Sequence, residues 1–110
     1  MSDDKRDEKG VASASEAADA IGPDNSLLIV DDDGPFLRRL ARAMETRGFA
    51  VDTAESVSEG IAKSKLSPPK YAVVDLRLGD GNGLEVIEAI RQHRDDTQIV
   101  VLTGYGNIAT

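Results

Sequence analysis

The sequence predicts an α/β fold with a doubly wound parallel sheet, and two features of the chain lead to this prediction. Short apolar runs rich in β-branched residues recur at 27–30, 71–74 and 99–102, with helix-like segments between them. Continuous runs of this kind are typical of strands that are buried on both faces of a parallel sheet. Single helices between such strands imply right-handed crossovers, which cover the sheet with helices.

The first predicted strand, 27–30, leads directly into a helix. Pro35 suits the first position of this helix, and Gly48 ends it. Apolar side chains recur at helical spacing along the segment and are expected to face the sheet. They are Phe36, Leu37, Leu40, Ala41 and Met44.

A short second strand is predicted at 50–54, followed by a second helix. Ser56 and Glu59 have the spacing of a capping box, in which each side chain bonds a backbone amide at the start of a helix. Prolines at 68 and 69 stop this helix. Its inward-facing side chains are expected to be Val57, Ile61 and Leu66.

The second half of the chain continues the alternation of strands and helices. The third strand is predicted at 71–75, and the glycine-rich loop 76–83 follows it. Asn82 suits the N-cap of the third helix, and the fourth strand is predicted at 99–102. Residues 104–107 break this strand, and the start of a truncated helix is expected after them. The third helix is expected to turn Leu84, Ile87 and Ile90 inward.

Composition limits the size and the class of the protein. A chain of 110 residues forms at most one small domain, and a net charge of −7 argues against a nucleic-acid-binding surface. The absence of cysteine excludes disulfides and thiolate zinc sites, and no apolar run is long enough to cross a membrane. Without a secretory signal, a cytoplasmic protein is expected. Residues 1–25 are expected to form a disordered acidic tail.

Chemically reactive side chains follow three of the predicted strands. Asp31, Asp32 and Asp33 come directly after the first strand, Asp75 ends the third, and Thr103 follows the fourth. In parallel α/β sheets the ligand site lies at the carboxyl ends of the strands, so these side chains are expected to converge. A cluster of carboxylates there can hold a hard divalent cation and present one carboxylate as a nucleophile to a phosphoryl group.

A simpler explanation of the three consecutive aspartates is helix capping, because aspartate is favoured at helix N-termini. Capping needs only one carboxylate, however, and three adjacent ones repel one another. A cation bound by at least two of them is therefore the better explanation. Capping explains Asp75 poorly, since the next helix starts only after the glycine-rich loop.

An acidic pair after strand one, an aspartate ending strand three and a threonine ending strand four form a recognisable set. With these residues the chain resembles the receiver domain of two-component response regulators. Within that family, the segments 27–49, 71–84 and 101–110 are similar to the redox-responsive RegA/PrrA/ActR group, especially its rhizobial ActR-like members. The resemblance covers residues 26–110.

This resemblance implies a CheY-like (flavodoxin-like) fold. It also implies that the chain is a signalling domain that accepts a phosphoryl group and is not an enzyme. Asp75 matches the phosphoacceptor, Asp31 and Asp32 match the acidic pair that holds Mg²⁺ with Asp75, and the backbone carbonyl of Arg77 matches a further metal ligand. Thr103 matches the switch hydroxyl. The implied phosphoryl donor is a sensor histidine kinase, and phosphorylation in the family can lead to a homodimer. No membrane partner is implied.

The sequence departs from the family pattern in two respects. Residues 26–110 are expected to be a partial receiver domain that lacks strand 5 with the family's invariant lysine, helix 5 and any effector domain. In the related full-length proteins, transcription is regulated by a C-terminal helix-turn-helix, so DNA binding is expected only through a domain absent from this chain. Gly79 also stands where many receivers have proline, which loosens the loop but removes no ligand.

Two other functions remain open from the sequence. In a haloacid-dehalogenase-type phosphatase, Asp31 would be the nucleophile and Asp33 the general acid, but Pro35 replaces the threonine of that motif, and that family needs more chain than is present here. The second alternative is an inactive fragment that binds a partner and whose acidic pocket has no chemical role.

Overall fold

The structure is a computed structural model, and it describes residues 22–103 and 106–109. The strands and helices alternate as predicted, with a two-stranded hairpin inserted after the third strand. The elements are β1 (Ser26–Val30), α1 (Gly34–Thr46), β2 (Ala50–Ala54), α2 (Val57–Leu66), β3 (Tyr71–Asp75), β4 (Arg77–Leu78), β5 (Gly81–Asn82), α3 (Leu84–His93), β6 (Gln98–Thr103) and β7 (Gly106–Ala109).

The main sheet has the strand order β2-β1-β3-β6-β7, and its first four strands are parallel. Val74 in β3 pairs with Val30 on one side and with Val101 on the other, so the three apolar runs are neighbours. The predicted α/β fold with a parallel sheet is therefore confirmed. This order brings the carboxyl ends of β1, β3 and β6 to one edge of the sheet.

The helix start expected after the break at residues 104–107 is wrong within the part of the chain that the structure describes. Residues 106–109 form β7, which runs antiparallel to β6 and pairs Thr103 with Gly106 and Val101 with Ile108. The edge of β6 would otherwise leave a row of backbone N–H and C=O groups without partners. Pairing with β7 satisfies these groups, which a single frayed helical turn could not do.

The two faces of the sheet are covered by different helices. On the face we call the α2/α3 face, two helices close over a continuous cluster of buried residues. On the opposite α1 face, within the described part of the chain, α1 packs its Leu37 against Leu27 and Ile29 of β1. The buried cluster of the α2/α3 face contains Leu28, Val30, Ala54, Val57, Ala72, Val74, Leu78, Val86, Ile90, Ile99 and Val101.

Most of the side chains that were expected to face the sheet do so, but two do not. Leu66 is 86% exposed because it is the last residue of α2, and Leu84 is 52% exposed at the first position of α3. In α3 the buried positions are Val86, Ala89 and Ile90. The inward face of α3 is thus formed around Val86 and Ile90, which are four residues apart and lie on one side of a helix.

The helix caps agree with the prediction at α2 and differ at α3. Ser56 Oγ accepts a hydrogen bond from the amide of Glu59 at 3.1 Å, as the capping box predicted. At α3 the predicted N-cap Asn82 is one residue too early, because Gly83 is the N-cap and has no side chain to bond. Asn82 Oδ1 instead accepts from the amide of Leu84 at 2.9 Å.

Most of the predicted N-terminal tail lies outside the described residues, which begin at residue 22. Asn25 Nδ2 donates to the carbonyl of Gly48 at 2.8 Å, and Asp24 accepts from the amide and the hydroxyl of Ser26. Among the residues that the structure describes, no helix combines the length and the apolar character that crossing a membrane requires.

Candidate functional site

Three carboxylates meet at the carboxyl edge of the sheet. Asp31 and Asp32 follow β1 directly, and Asp75 is the last residue of β3, the strand beside β1. One side-chain oxygen of each residue lies within 4.8 Å of the others. Three oxygen donors this close together can hold a hard divalent cation.

The three carboxylates differ in their exposure to solvent. Asp31 is only 5% exposed, whereas Asp75 is half-buried and Asp32 is exposed. Burial raises the pKa of Asp31, and the nearby charges of Asp75, Asp32 and Asp33 raise it further. A hydrogen bond from the amide of Asp33 to Asp31 Oδ1, 2.8 Å long, acts in the opposite direction. The site therefore concentrates negative charge that a bound cation would relieve.

Asp33 has a separate role from its two neighbours. Its Oδ1 accepts from the amide of Phe36 at 3.1 Å, and it is the N-cap of α1. The capping explanation of the three aspartates therefore holds for Asp33, whereas Asp31 and Asp32 join Asp75 in the cluster. This hydrogen bond engages one of the two oxygens of the carboxylate that the phosphatase alternative would use as its general acid.

The loop that follows Asp75 bonds back to it. The amide of Arg77 donates to Asp75 Oδ1 at 3.1 Å. Arg77 then opens the β4–β5 hairpin, in which it pairs with Asn82 and Leu78 pairs with Gly81. Leu78 is buried in the cluster of the α2/α3 face, which holds the hairpin against the core.

Gly83 allows the end of β3 and the start of α3 to approach each other closely. Its amide donates to the carbonyl of Leu76 at 2.9 Å. A Cβ atom at this position would overlap with the carbonyl oxygen of Asp75 and would lie 3.0 Å from Val74 Cγ1. The sequence interpretation did not assign Gly83 to the site, and its position directly before a helix was the only available signal.

Thr103 lies at the same edge of the sheet as the carboxylates. In the pairing of β3 with β6, Asp75 is opposite Leu102, so Thr103 follows one residue later. The contacts of its side chain lie outside what the structure describes. Its predicted role as the switch hydroxyl and the predicted role of the Arg77 carbonyl as a ligand remain predictions.

Comparisons with known sequences assign the chain to a family. Residues 27–110 match the model of the response regulator receiver domain. The acid tolerance regulatory protein ActR of Sinorhizobium medicae (strain WSM419) is 78% identical over 93 residues, which are 84% of this chain and 48% of that protein. The photosynthetic apparatus regulatory protein RegA of Cereibacter sphaeroides is 66% identical over 90 residues, 82% of this chain and 49% of that protein. The chain thus spans about half the length of these relatives.

Solved structures with the same fold come from the same family. One of them is a response regulator from Burkholderia pseudomallei, solved with a phosphorylated aspartic acid, a calcium ion and citrate. It has a TM-score of 0.71 and 36% sequence identity, and the match covers 76% of this chain and 49% of that one. A CheY-like receiver domain protein from Methanospirillum hungatei JF-1 has a TM-score of 0.70 and 31% identity, covering 76% and 66%. The sequence match, the strand order of the sheet and the carboxylate cluster at its edge all point to one family. The chain belongs to the response regulator receiver domain family.

Proposed function

We propose that this domain accepts a phosphoryl group on Asp75 from a phosphohistidine of a sensor histidine kinase, with Mg²⁺ bound beside it. The observation that carries the proposal is the cluster of Asp31, Asp32 and Asp75 at the carboxyl edge of the sheet. Phosphorylation of an aspartate is the general mechanism of the family. The chemistry of the cluster also fits, because a small hard cation prefers oxygen ligands and offsets the charge gathered around the buried Asp31.

The proposed metal ligands are the carboxylates of Asp31, Asp32 and Asp75 together with the backbone carbonyl of Arg77. A bound Mg²⁺ would neutralise negative charge on the carboxylates and on the incoming phosphoryl oxygens. An oxygen of Asp75 attacks the phosphorus in line, a P–O bond forms, and the P–N bond to the kinase imidazole breaks. The departing imidazole keeps the electron pair of that bond and takes up a proton. We assign to the Thr103 hydroxyl a hydrogen bond to the transferred group.

The output of the switch is also part of the proposal. The relatives are named as regulators of acid tolerance and of the photosynthetic apparatus, and the matched residues make up about half of their length. We propose that phosphorylation here controls transcription through a DNA-binding domain of the kind those full-length proteins carry, in the cytoplasm and with dimerisation on phosphorylation. The phosphatase alternative is disfavoured because residues 27–110 match the response regulator receiver domain.

Acetyl phosphate with Mg²⁺ tests the proposal directly. The expected product is one acyl phosphate on the chain, detected by intact mass, lost in Asp75→Ala and absent when EDTA removes the metal. Asp32→Asn should form less of it, because it loses a ligand and keeps the nucleophile. Asp52→Asn is a matched control, because Asp52 is an exposed aspartate on β2 outside the cluster.

Borohydride trapping followed by peptide mapping then locates the modified residue. A receiver carries the adduct on Asp75. An adduct on Asp31 that survives in Asp75→Ala, with continued turnover of simple phosphomonoesters, would show a phosphatase of the haloacid-dehalogenase type. No adduct and no binding of a divalent cation would leave the inactive fragment as the correct assignment.

A further inference from the structure

Asp80 connects the loop after Asp75 to the N-terminus of α2. Its Oδ1 accepts from the amide of Val57 at 2.7 Å, and its Oδ2 accepts from the amide of Ser58 at 3.1 Å. These residues are the first two of α2, and they lie more than twenty positions before Asp80 in the chain. Both oxygens of one carboxylate are thus bonded to a helix that is remote in sequence.

The helix already has a cap of its own, so the bonds to Asp80 are an addition. Ser56 Oγ accepts from the amide of Glu59, the third residue of α2. Asp80 accepts from the amides of the first two residues of α2, so the first three amides of the helix all have hydrogen-bond acceptors. Amides at a helix N-terminus carry partial positive charge and favour a carboxylate, and their hydrogen bonds lower the pKa of Asp80. Asp80 therefore stays ionised at neutral pH.

A short path of backbone links leads from Asp80 to the acidic cluster. Asp80 and Gly79 form the turn between β4 and β5, the hairpin that Arg77 opens. The other end of this hairpin is joined to the cluster by the hydrogen bond from the Arg77 amide to Asp75 Oδ1. One end of the hairpin is thus held by α2 and the other by the proposed phosphoacceptor.

The geometry points to Asp80 as a positioning residue of the acidic site, which fixes the β4–β5 hairpin against α2 and thereby orients the backbone of Arg77 toward Asp75 and the cation. This inference rests on the proposed function, because it gives the Arg77 carbonyl the part of a metal ligand. Mutation of groups that orient metal ligands without touching the metal typically lowers metal affinity by about 10- to 100-fold.

Binding of Mn²⁺ to the 110-residue chain, followed by calorimetry, tests the inference together with a matched control. Asp80→Ala should weaken binding by roughly 10-fold, the lower end of the effect of losing a partner that orients a ligand. Ser56→Ala removes a cap from the same helix without touching the hairpin, and its affinity should stay within about two-fold of the original. In Asp80→Asn one amide oxygen still accepts, and binding should be intermediate.

Backbone NMR provides a second measurement that a general loss of stability would not produce. The amide resonance of Arg77 should shift in metal-free Asp80→Ala and stay in place in Ser56→Ala. Equal affinities in Asp80→Ala and Ser56→Ala, or an unchanged Arg77 resonance in Asp80→Ala, would overturn the inference. If Asp80→Ala does not fold, Asp80→Asn decides by the same comparison. An original chain that binds no Mn²⁺ would overturn the proposed function, and with it this inference.

Discussion

The two faces of the sheet differ in how completely they are covered. On the α2/α3 face, two helices pack against each other so closely that a Cβ atom at Gly60 would lie 3.2 Å from both methyl groups of Val86. On the α1 face, the residues that the structure describes supply one helix, with an apolar groove of about 680 Å³ beside it. This groove is lined by Leu40, Met44, Tyr71, Val73, Val100 and Leu102, among others.

The α2/α3 face and the α1 face also differ in how they are linked to the cluster of Asp31, Asp32 and Asp75. The loop after Asp75 is anchored on the α2/α3 face, through the buried side chain of Leu78 and the two hydrogen bonds of Asp80. On the α1 face the link to the site is the cap that Asp33 provides for its helix. Dense packing is thus found where a loop has to hold Asp75, the proposed phosphoacceptor, since a packed interior transmits small displacements with little relaxation.

The largest expected effect comes from adding a methyl group at a position of the α2/α3 face that has no room for it. Gly83→Ala places a Cβ atom against the carbonyl oxygen of Asp75, which is backbone and not the end of a flexible side chain. We expect a loss of at least about 3 kcal/mol in the free energy of unfolding, at the upper end for overpacked positions. Urea denaturation followed by circular dichroism measures this loss.

Gly79→Ala is the matched control for Gly83→Ala in the same loop. A Cβ atom there would meet only Asp32 Oδ2, at an ordinary distance of 3.8 Å. Its free energy of unfolding should change by less than about 0.5 kcal/mol. Similar losses in the two variants would mean that the approach of Gly83 to Asp75 is not tight in solution.

Truncating one buried side chain on each face should show the difference in packing directly. Ile90 is fully buried on the α2/α3 face, whereas Leu40 is half-buried beside the groove on the α1 face. Ile90→Ala should cost about 3 kcal/mol, because a cavity remains in a closed core, and Leu40→Ala about 1 kcal/mol. Both values come from urea denaturation at one temperature. Equal costs would show that the α1 face is as well covered in solution as the opposite face.

The sequence carried enough information for the four parallel strands of the sheet, because local patterns decide them. Buried strands with β-branched residues can be predicted from a segment such as Tyr71–Asp75, and the structure has a strand with the same bounds. The convergence of Asp31, Asp32 and Asp75 followed from the rule that ligand sites lie at the carboxyl ends of parallel strands. Neither inference required knowledge of how distant side chains contact each other.

The features that could not be predicted depend on contacts between distant parts of the chain. Leu84 fits the apolar periodicity of α3, but its place at the first position leaves it beyond the sheet. Asp80 and Gly83 look like ordinary loop residues until α2 and the end of β3 are in place. The strand β7 forms because the edge of β6 offers it hydrogen-bonding partners, which residues 106–109 do not specify by themselves.

The smallest expected effect comes from the buried carboxylate of Asp31. The pKa of Asp31 is raised from its usual 3.8, first by burial and then by the nearby carboxylates, so the folded chain holds this proton more readily than the unfolded chain does. The ionised group therefore lowers the stability of the metal-free protein at neutral pH. This penalty grows as the pH rises above 3.8 toward the raised value, and it vanishes below 3.8.

Asp31→Asn should consequently raise the melting temperature in EDTA at pH 7, and the gain should shrink as the pH is lowered toward 3.8. The amide oxygen can still accept from the amide of Asp33, so the local hydrogen bond is retained. Asp33→Asn is the control, because Asp33 is exposed and asparagine caps a helix as well as aspartate does. It should show no such gain. Adding Mg²⁺ should stabilise the original chain more than Asp31→Asn, because only the original chain keeps the buried ligand. A melting temperature that is lower in Asp31→Asn than in the original chain at pH 7 in EDTA would contradict the idea that the buried charge opposes folding.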